Sequence, residues 1–167
     1  MGDGIKIFLR FKKRFYPDFM AFGPLLKAMR EEEKFVYDAA WSKDSAQSVL
    51  GLFAINEKAR AYTRHGSEDK IIASFLKELN QIFNGQATQH YLDHRLQNWS
   101  AEPFIQGAYS YAVEGSKNRV ITELQRPLGQ KIYFAGEALS KSDQAMVQGA
   151  SASAYQAIEM MSKSQES

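Results

Sequence analysis

No cysteine occurs in the 167 residues. That excludes disulfides, thiolate metal sites, a cysteine nucleophile and a thioether link to a cofactor. A reducing compartment is compatible with the absence. Long apolar runs are missing as well: no stretch approaches the roughly 20 residues of a membrane-spanning helix. The first residues, Met1-Gly2-Asp3-Gly4, lead straight into a strand-like segment with no signal-peptide pattern. A cytoplasmic location with no membrane association is the simplest expectation, and a strand-like start also suits a chain cut from a longer polypeptide. Charge of one sign is not in surplus either. The 21 Lys and Arg against 19 Asp and Glu leave a net charge of +2, too near balance to imply a nucleic-acid partner. No internal repeat or low-complexity tract is visible.

What is present is ordinary globular composition with a rich supply of rings, 11 Phe and 8 Tyr among 44% hydrophobic residues. Such a surplus suits a core or an aromatic-lined pocket. The length suffices for a domain with a substantial core. Residues 4–11 alternate, with Ile5, Ile7, Leu9 and Phe11 facing one way and Lys6, Phe8 and Arg10 the other, which predicts a strand. Lys12-Lys13-Arg14 caps it as a solvated basic end; a nucleic-acid patch would need more than three charges. Pro17 and Gly23-Pro24 punctuate a loop, and Leu25 to Glu33 has room for a short helix or turn. Lys34 to Trp41 and Gln47 to Ile55 read as a hairpin. Asn56 to Tyr62 reads as a short helix.

Ser67 followed by Glu68 and Asp69 starts the clearest helix, with Ile72, Phe75, Leu76, Leu79 and Ile82-Phe83 on its core stripe and Gly85 closing it. Ala87 to Asn98 reads as a strand. Its two histidines, His90 and His94, lack a third ligand at a motif spacing, so no metal site is expected. The stretch Trp99 to Tyr111 is broken by Pro103 and Gly107 and carries Trp99, Phe104, Tyr109 and Tyr111; rings on a broken backbone mark either a site or packing under a loop. Asn118 to Leu124 reads as one or two helical turns, and the tail after Met161 is expected to fray.

The most informative stretch runs from Lys131 to Ala157. Ile132-Tyr133-Phe134-Ala135 reads as a strand that stops at Gly136, where the backbone has room to approach a ligand. Glu137 follows at the strand's C-terminal end, a favoured place for ligand contacts. A helix expected to begin near Gln144 presents unpaired N–H groups and a positive dipole end, which suit developing negative charge. Small residues at Gly149, Ala150, Ser153 and Ala154 let it pack closely. From these residues alone, a tightly packed helix without any cofactor is the competing reading.

Ile132–Glu137 followed by Val147-Gln148-Gly149-Ala150 resembles the C-terminal flavin-binding motif of the flavin-containing amine oxidases. Trp99 to Tyr109 resembles the family segment in which a tryptophan precedes a Gly-x-Tyr, here Gly107-Ala108-Tyr109. Ile5-Lys6 through Phe15-Tyr16 resembles the strand that carries a lysine near flavin N5. These blocks stand in the family's order and cover its C-terminal part. The resemblance implies an α+β fold, a mixed β-sheet with packed helices. Residues 1–98 would form part of a substrate-binding domain and residues 99–167 the C-terminal piece of a Rossmann-like FAD-binding domain.

The resemblance also implies roles. Lys6 would hold a water near flavin N5, and Tyr109 would be one wall of an aromatic cage that steers an amine. Trp99 would pack along the isoalloxazine, with Gly107 and Ala108 beside it. Gly136 and Glu137 would meet the ribityl or diphosphate part of FAD, and Met146 and Val147 its pyrimidine end. The activity implied is oxidation of a C–N bond by hydride transfer to FAD, with imine hydrolysis and re-oxidation by dioxygen. Ala108 stands where some members attach the flavin through cysteine, so FAD would be non-covalent. Met146 stands where monoamine oxidases place a second cage tyrosine, which puts a simple arylalkylamine substrate in doubt. No GxGxxG loop for the pyrophosphate occurs here. An N-terminal FAD-binding segment or subunit is therefore the expected partner, beside the amine substrate and a possible second copy of the chain. The alternative function is a remnant or interaction module that keeps the fold and binds no FAD.

Overall fold

Period-two hydrophobicity builds a sheet on which helical stripes pack. In the computed structural model, which describes residues 2–17, 30–31, 34–111 and 117–165, the strands are β1 (Gly4–Phe11), β2 (Arg30–Glu31), β3 (Lys34–Asp38), β4 (Ser48–Ile55) and β5 (Tyr91–Asn98). The helices are α1 (Asn56–Thr63), α2 (Glu68–Ile82), α3 (Gln86–His90), α4 (Lys117–Leu124) and α5 (Val147–Gln165). The chain divides into two compact units, Asp3–Ala108 and Tyr109–Ser167 with Met1–Gly2.

In the first unit the sheet order is β2-β3-β4-β1-β5. The α+β class holds, while the sheet is antiparallel in every described pairing rather than mixed. β1 lies centrally, and its inward residues Ile5, Ile7, Leu9 and Phe11 are completely buried with Leu50, Leu52 and Ala54 of β4. The stripe of α2, Ile71, Ile72, Phe75 and Leu79, covers them together with Ala59 and Tyr62 of α1. Truncating a ring buried like Phe75 costs about 3–5 kcal/mol, so this layer anchors the unit.

Two expected boundaries differ in this unit. β3 ends at Asp38 rather than Trp41, because the Asp38 carboxylate accepts the Ala40 amide at 2.9 Å and bends the chain. The strand expected over Ala87–Asn98 is a helix up to His90 and a strand only from Tyr91. Gly85, at φ 82°, follows α2 and precedes the new turn. Asn80 grips that turn by accepting the Thr88 amide at 3.0 Å and donating to its hydroxyl at 2.6 Å. The expected helix or turn over Leu25–Glu33 lies outside the described residues except for the two in β2, and Gly23-Pro24 lies outside them too.

In the second unit a smaller core gathers Ile121 of α4, Leu139 and Ala157 of α5. α5 continues to Gln165, past the point where fraying was expected. It starts at Val147 rather than near Gln144, because Ala145 adopts φ 67° and interrupts helical geometry there. Among the described residues Ile132–Ala135 is not paired as a strand: its sole pairing there is a bridge between Ile132 and Leu128.

Candidate flavin site

Two groups of the expected site residues are brought together, one in each unit. In the sheet unit, Lys6 sits between Phe53 of β4 and Gln97 of β5 and points away from the core. Its Nζ stands 5.5 Å from the Phe53 ring centroid, in cation–π range. On the same face Phe35 stacks on Tyr37 at 5.7 Å, and Phe8 meets Tyr37 edge-on at 6.5 Å. This side of the sheet is thus an aromatic surface that carries an ammonium group.

Trp99 opens a 3₁₀ turn directly after β5. The loop then folds back, so that the Gly107 amide donates to the Trp99 carbonyl at 3.1 Å. The Gly4 amide donates to the Ser100 hydroxyl at 3.3 Å, tying the turn to the start of β1. Contact there is close: a Cβ on Gly4 would lie 2.2 Å from the Ala108 Cβ. Trp99, Gly107 and Ala108 therefore cluster at the Lys6 end of β1. The expected cage residue Tyr109, 41% exposed, belongs to the second unit.

In that second unit Gly136 and Glu137 are held by side chains that sequence reasoning left out of the site. The Ser153 hydroxyl, on α5, accepts the Gly136 amide at 2.8 Å and lies 2.9 Å from its carbonyl. Gly136 has φ 157° and ψ 168°, a region that favours glycine. Glu137 Oε1 accepts the Ser110 amide at 2.9 Å, and Oε2 accepts the Ser110 hydroxyl and the Ala145 amide, both at 2.7 Å. Gln144 donates to the same Ser110 hydroxyl at 3.0 Å. Burial pushes the Glu137 carboxyl up, but these hydrogen bonds from Ser110 and Ala145 outweigh it and hold the group below its ordinary value. Glu137 therefore ties the loop at Ser110 to the approach of α5, with protein donors on both oxygens.

The start of α5 is open. Met146 is 55% and Val147 87% exposed. The amides of Val147, Gln148 and Gly149 make no hydrogen bond among the described residues. Gly149 is required for packing, since a Cβ there would lie 2.0 Å from the Asp143 carbonyl oxygen. Free N–H groups at the positive end of a 19-residue helix can receive an anionic or carbonyl edge. A Cβ on the neighbouring Gly136 would meet no atom within 4 Å, so the backbone there has space in front of it.

The model of flavin-containing amine oxidoreductases matches residues 1–158. The chain belongs to this family. Among curated relatives, it is similar to the lysine-specific histone demethylase 1B of Mus musculus, 29% identical over 90% of this chain and 18% of that protein. It is also similar to polyamine oxidase 1 of Zea mays, 25% identical over 93% of this chain and 31% of the relative. The chain thus spans less than a third of the length of these two relatives. Among solved structures, cyclohexylamine oxidase from Brevibacterium oxydans IH-35A superposes on 100% of the chain with a TM-score of 0.75, at 18% identity and over 36% of its own length. A wild-type putrescine oxidase bound to putrescine superposes on 95% of the chain and 35% of its own, with a TM-score of 0.67 and 19% identity. Both structures carry the same fold.

As a member of a flavin-containing family, the chain is expected to meet a flavin, and its open helix start and spacious Gly136 fit one. Ser110, Gln144, Ala145 and Ser153 brace these features. Ser153 within Ala150-Ser151-Ala152-Ser153-Ala154 was the one signal available for the last of them, and it is indistinguishable in sequence from Ser151. His94, weighed as a metal ligand, instead bridges the Tyr91 hydroxyl at 2.5 Å and Glu68 at 3.0 Å. No described helix is long and apolar enough to cross a membrane.

Proposed function

We propose that this chain is the C-terminal part of an FAD-dependent amine oxidase. It would supply the substrate-side sheet and one wall of the flavin site, while a separate segment holds the pyrophosphate. The observation that carries the reading is the open start of α5 beside the braced Gly136–Glu137 turn, in a chain matched by the family model over 1–158. Bound non-covalently, FAD would supply the hydride acceptor for oxidation of a C–N bond.

The chain's own residues would take the remaining tasks. The amides at the start of α5 would stabilise negative charge on the pyrimidine edge, with Met146 and Val147 packing against it. Gly136 would let the backbone approach the ribityl chain, and Glu137 would hold that turn and the helix start in place. Lys6 would hold a water for proton transfer. Trp99, with Gly107 and Ala108, and Tyr109 would exclude bulk water and orient a neutral amine. The relatives' names support an amine substrate, and the aromatic face around Lys6 suits an apolar or polyamine body beside the reacting nitrogen.

The test is spectroscopic. The purified chain is mixed with FAD and with that part of the maize relative which it does not match. Flavin bands that shift on mixing, and bleach when an amine is added without oxygen, support the proposal. A complex that forms with no spectral change supports an interaction module instead.

A further inference from the structure

Strand β3 carries a charge where its neighbours call for an apolar residue. Lys34 stands opposite Ala54 and shares a face with Val36 and its partner Leu52, all three of them buried. The Lys34 side chain, 11% exposed, therefore lies on the helix-covered side of the sheet, opposite the side that carries Lys6. An ammonium group there is costly unless paired. Its Nζ donates to Glu78 Oε2 at 2.6 Å and stands 5.8 Å from the Tyr62 ring centroid. The Tyr62 hydroxyl donates to Glu78 Oε1 at 2.7 Å. Beside this network lies a cavity of about 190 Å³ whose polar lining is Lys34 of β3, Lys58 and Tyr62 of α1, His65 just after α1, and Ser74 and Glu78 of α2. It is smaller than the roughly 300–1,000 Å³ of sites for drug-sized ligands, so its occupant is small.

We propose that this cavity binds a phosphoryl group, as free phosphate or as the end of a small phosphorylated metabolite. In its lining two lysines face one carboxylate, and a concave positive site concentrates anions. Both oxygens of that carboxylate, on Glu78, already accept protein donors. Lys34 uses one of its three N–H donors on Glu78 and keeps the others. The His65 ring and the Ser74 hydroxyl make no hydrogen bond among the described residues. The C-terminal end of α1 brings no bare negative pole to the cavity, because the amides of Arg64, His65 and Gly66 donate to the carbonyls of Arg60, Tyr62 and Thr63. Donors thus converge from a strand and from two helices. That arrangement suits the three acceptor oxygens of a phosphoryl group better than the two of a carboxylate. The site lies away from the Lys6 face and stands whether or not the chain meets a flavin. Occupancy ties β3, α1 and α2 together and stabilises the sheet unit.

The experiment is a titration of the purified complete chain with sodium phosphate, read by amide chemical shifts and by thermal unfolding. Sodium chloride at matched ionic strength is the reference. The expected result is saturable shifts centred on His65, Ser74 and Glu78 with a millimolar or tighter Kd, and a Tm that rises with phosphate and not with chloride. Lys58→Gln and His65→Gln should each weaken binding at least threefold, and together at least tenfold. Ser74→Ala, which keeps every charge and suits a helix, should weaken it at least twofold and covers the case in which a lysine variant fails to fold. Lys77→Gln removes a lysine charge from the exposed side of α2, outside the cavity lining, and should leave binding within twofold. Glycerol phosphate separates the two sources: tighter binding than phosphate assigns the site to a phosphorylated metabolite, and equal or weaker binding assigns it to free phosphate. Absence of saturable shifts overturns the proposal. Equal weakening by Lys77→Gln and Lys58→Gln overturns it too, as does acetate binding as tightly as phosphate.

Discussion

The Ser153 hydroxyl lies 2.8 Å from the Gly136 nitrogen and 2.9 Å from its carbonyl oxygen, so one buried side chain of α5 meets both polar backbone groups of the site glycine. Ser153 is 3% exposed, so water does not readily replace it. Ser153→Ala should destabilise the chain by about 1–3 kcal/mol through the orphaned Gly136 amide. It should also speed exchange at that amide. Urea denaturation and hydrogen exchange check the two effects, and unchanged exchange at Gly136 would show that the contact does not hold the turn.

Glu137 makes a pH-dependent contribution with a definite sign. Its folded carboxyl titrates below its ordinary 4.5. The stabilisation is therefore present above about pH 4.5 and is lost as pH falls through the lower folded value. Glu137→Gln should be less stable than wild type at pH 7, and the two denaturation midpoints should converge in acid. A gap that stays constant from pH 7 to acid would contradict the account.

Tyr16 contributes to the alkaline limb. Burial and the Asp38 carboxylate, which accepts the Tyr16 hydroxyl at 3.2 Å, push its pKa up from 10.0 to about 12. A raised phenol favours the folded state below pH 10.0 and loses that contribution as pH rises towards about 12. Tyr16→Phe should flatten this loss in alkaline denaturation followed by circular dichroism.

Gly4→Ala should be costly at the other group of site residues. The new Cβ would fall 2.2 Å from the Ala108 Cβ, and neither atom can rotate away. Overpacking of this kind costs about 1–3 kcal/mol. The double variant Gly4→Ala, Ala108→Gly should recover most of the loss, a comparison made by thermal unfolding.

The elements legible in sequence are those whose own side chains decide them. β1 alternates cleanly and α2 carries an uninterrupted apolar stripe, and both stand where the pattern puts them. Asp38, Asn80 and Ala145 changed boundaries through contacts or backbone angles that periodicity does not encode. At the site, Gly136 and Glu137 were visible as a strand-end turn. Their supports were not, because Ser110 is 27 residues from Glu137 and Ser153 is 17 from Gly136. Ile132–Ala135 reads as a strand in sequence and lacks a neighbouring strand among the described residues; β propensity reports a fit to a sheet, not the presence of one.

The central claim is that this chain contributes a wall of an FAD site whose pyrophosphate cradle is supplied by other polypeptide. Titration of FAD into the purified chain, alone and with the unmatched part of the maize relative, tests it most directly through the flavin absorption bands. The account predicts no tight binding by the chain alone and saturable, band-shifting binding when both polypeptides are present. Sub-micromolar binding by the chain alone (about −8.2 kcal/mol or stronger) would contradict it, as would a complex of both polypeptides that leaves FAD free.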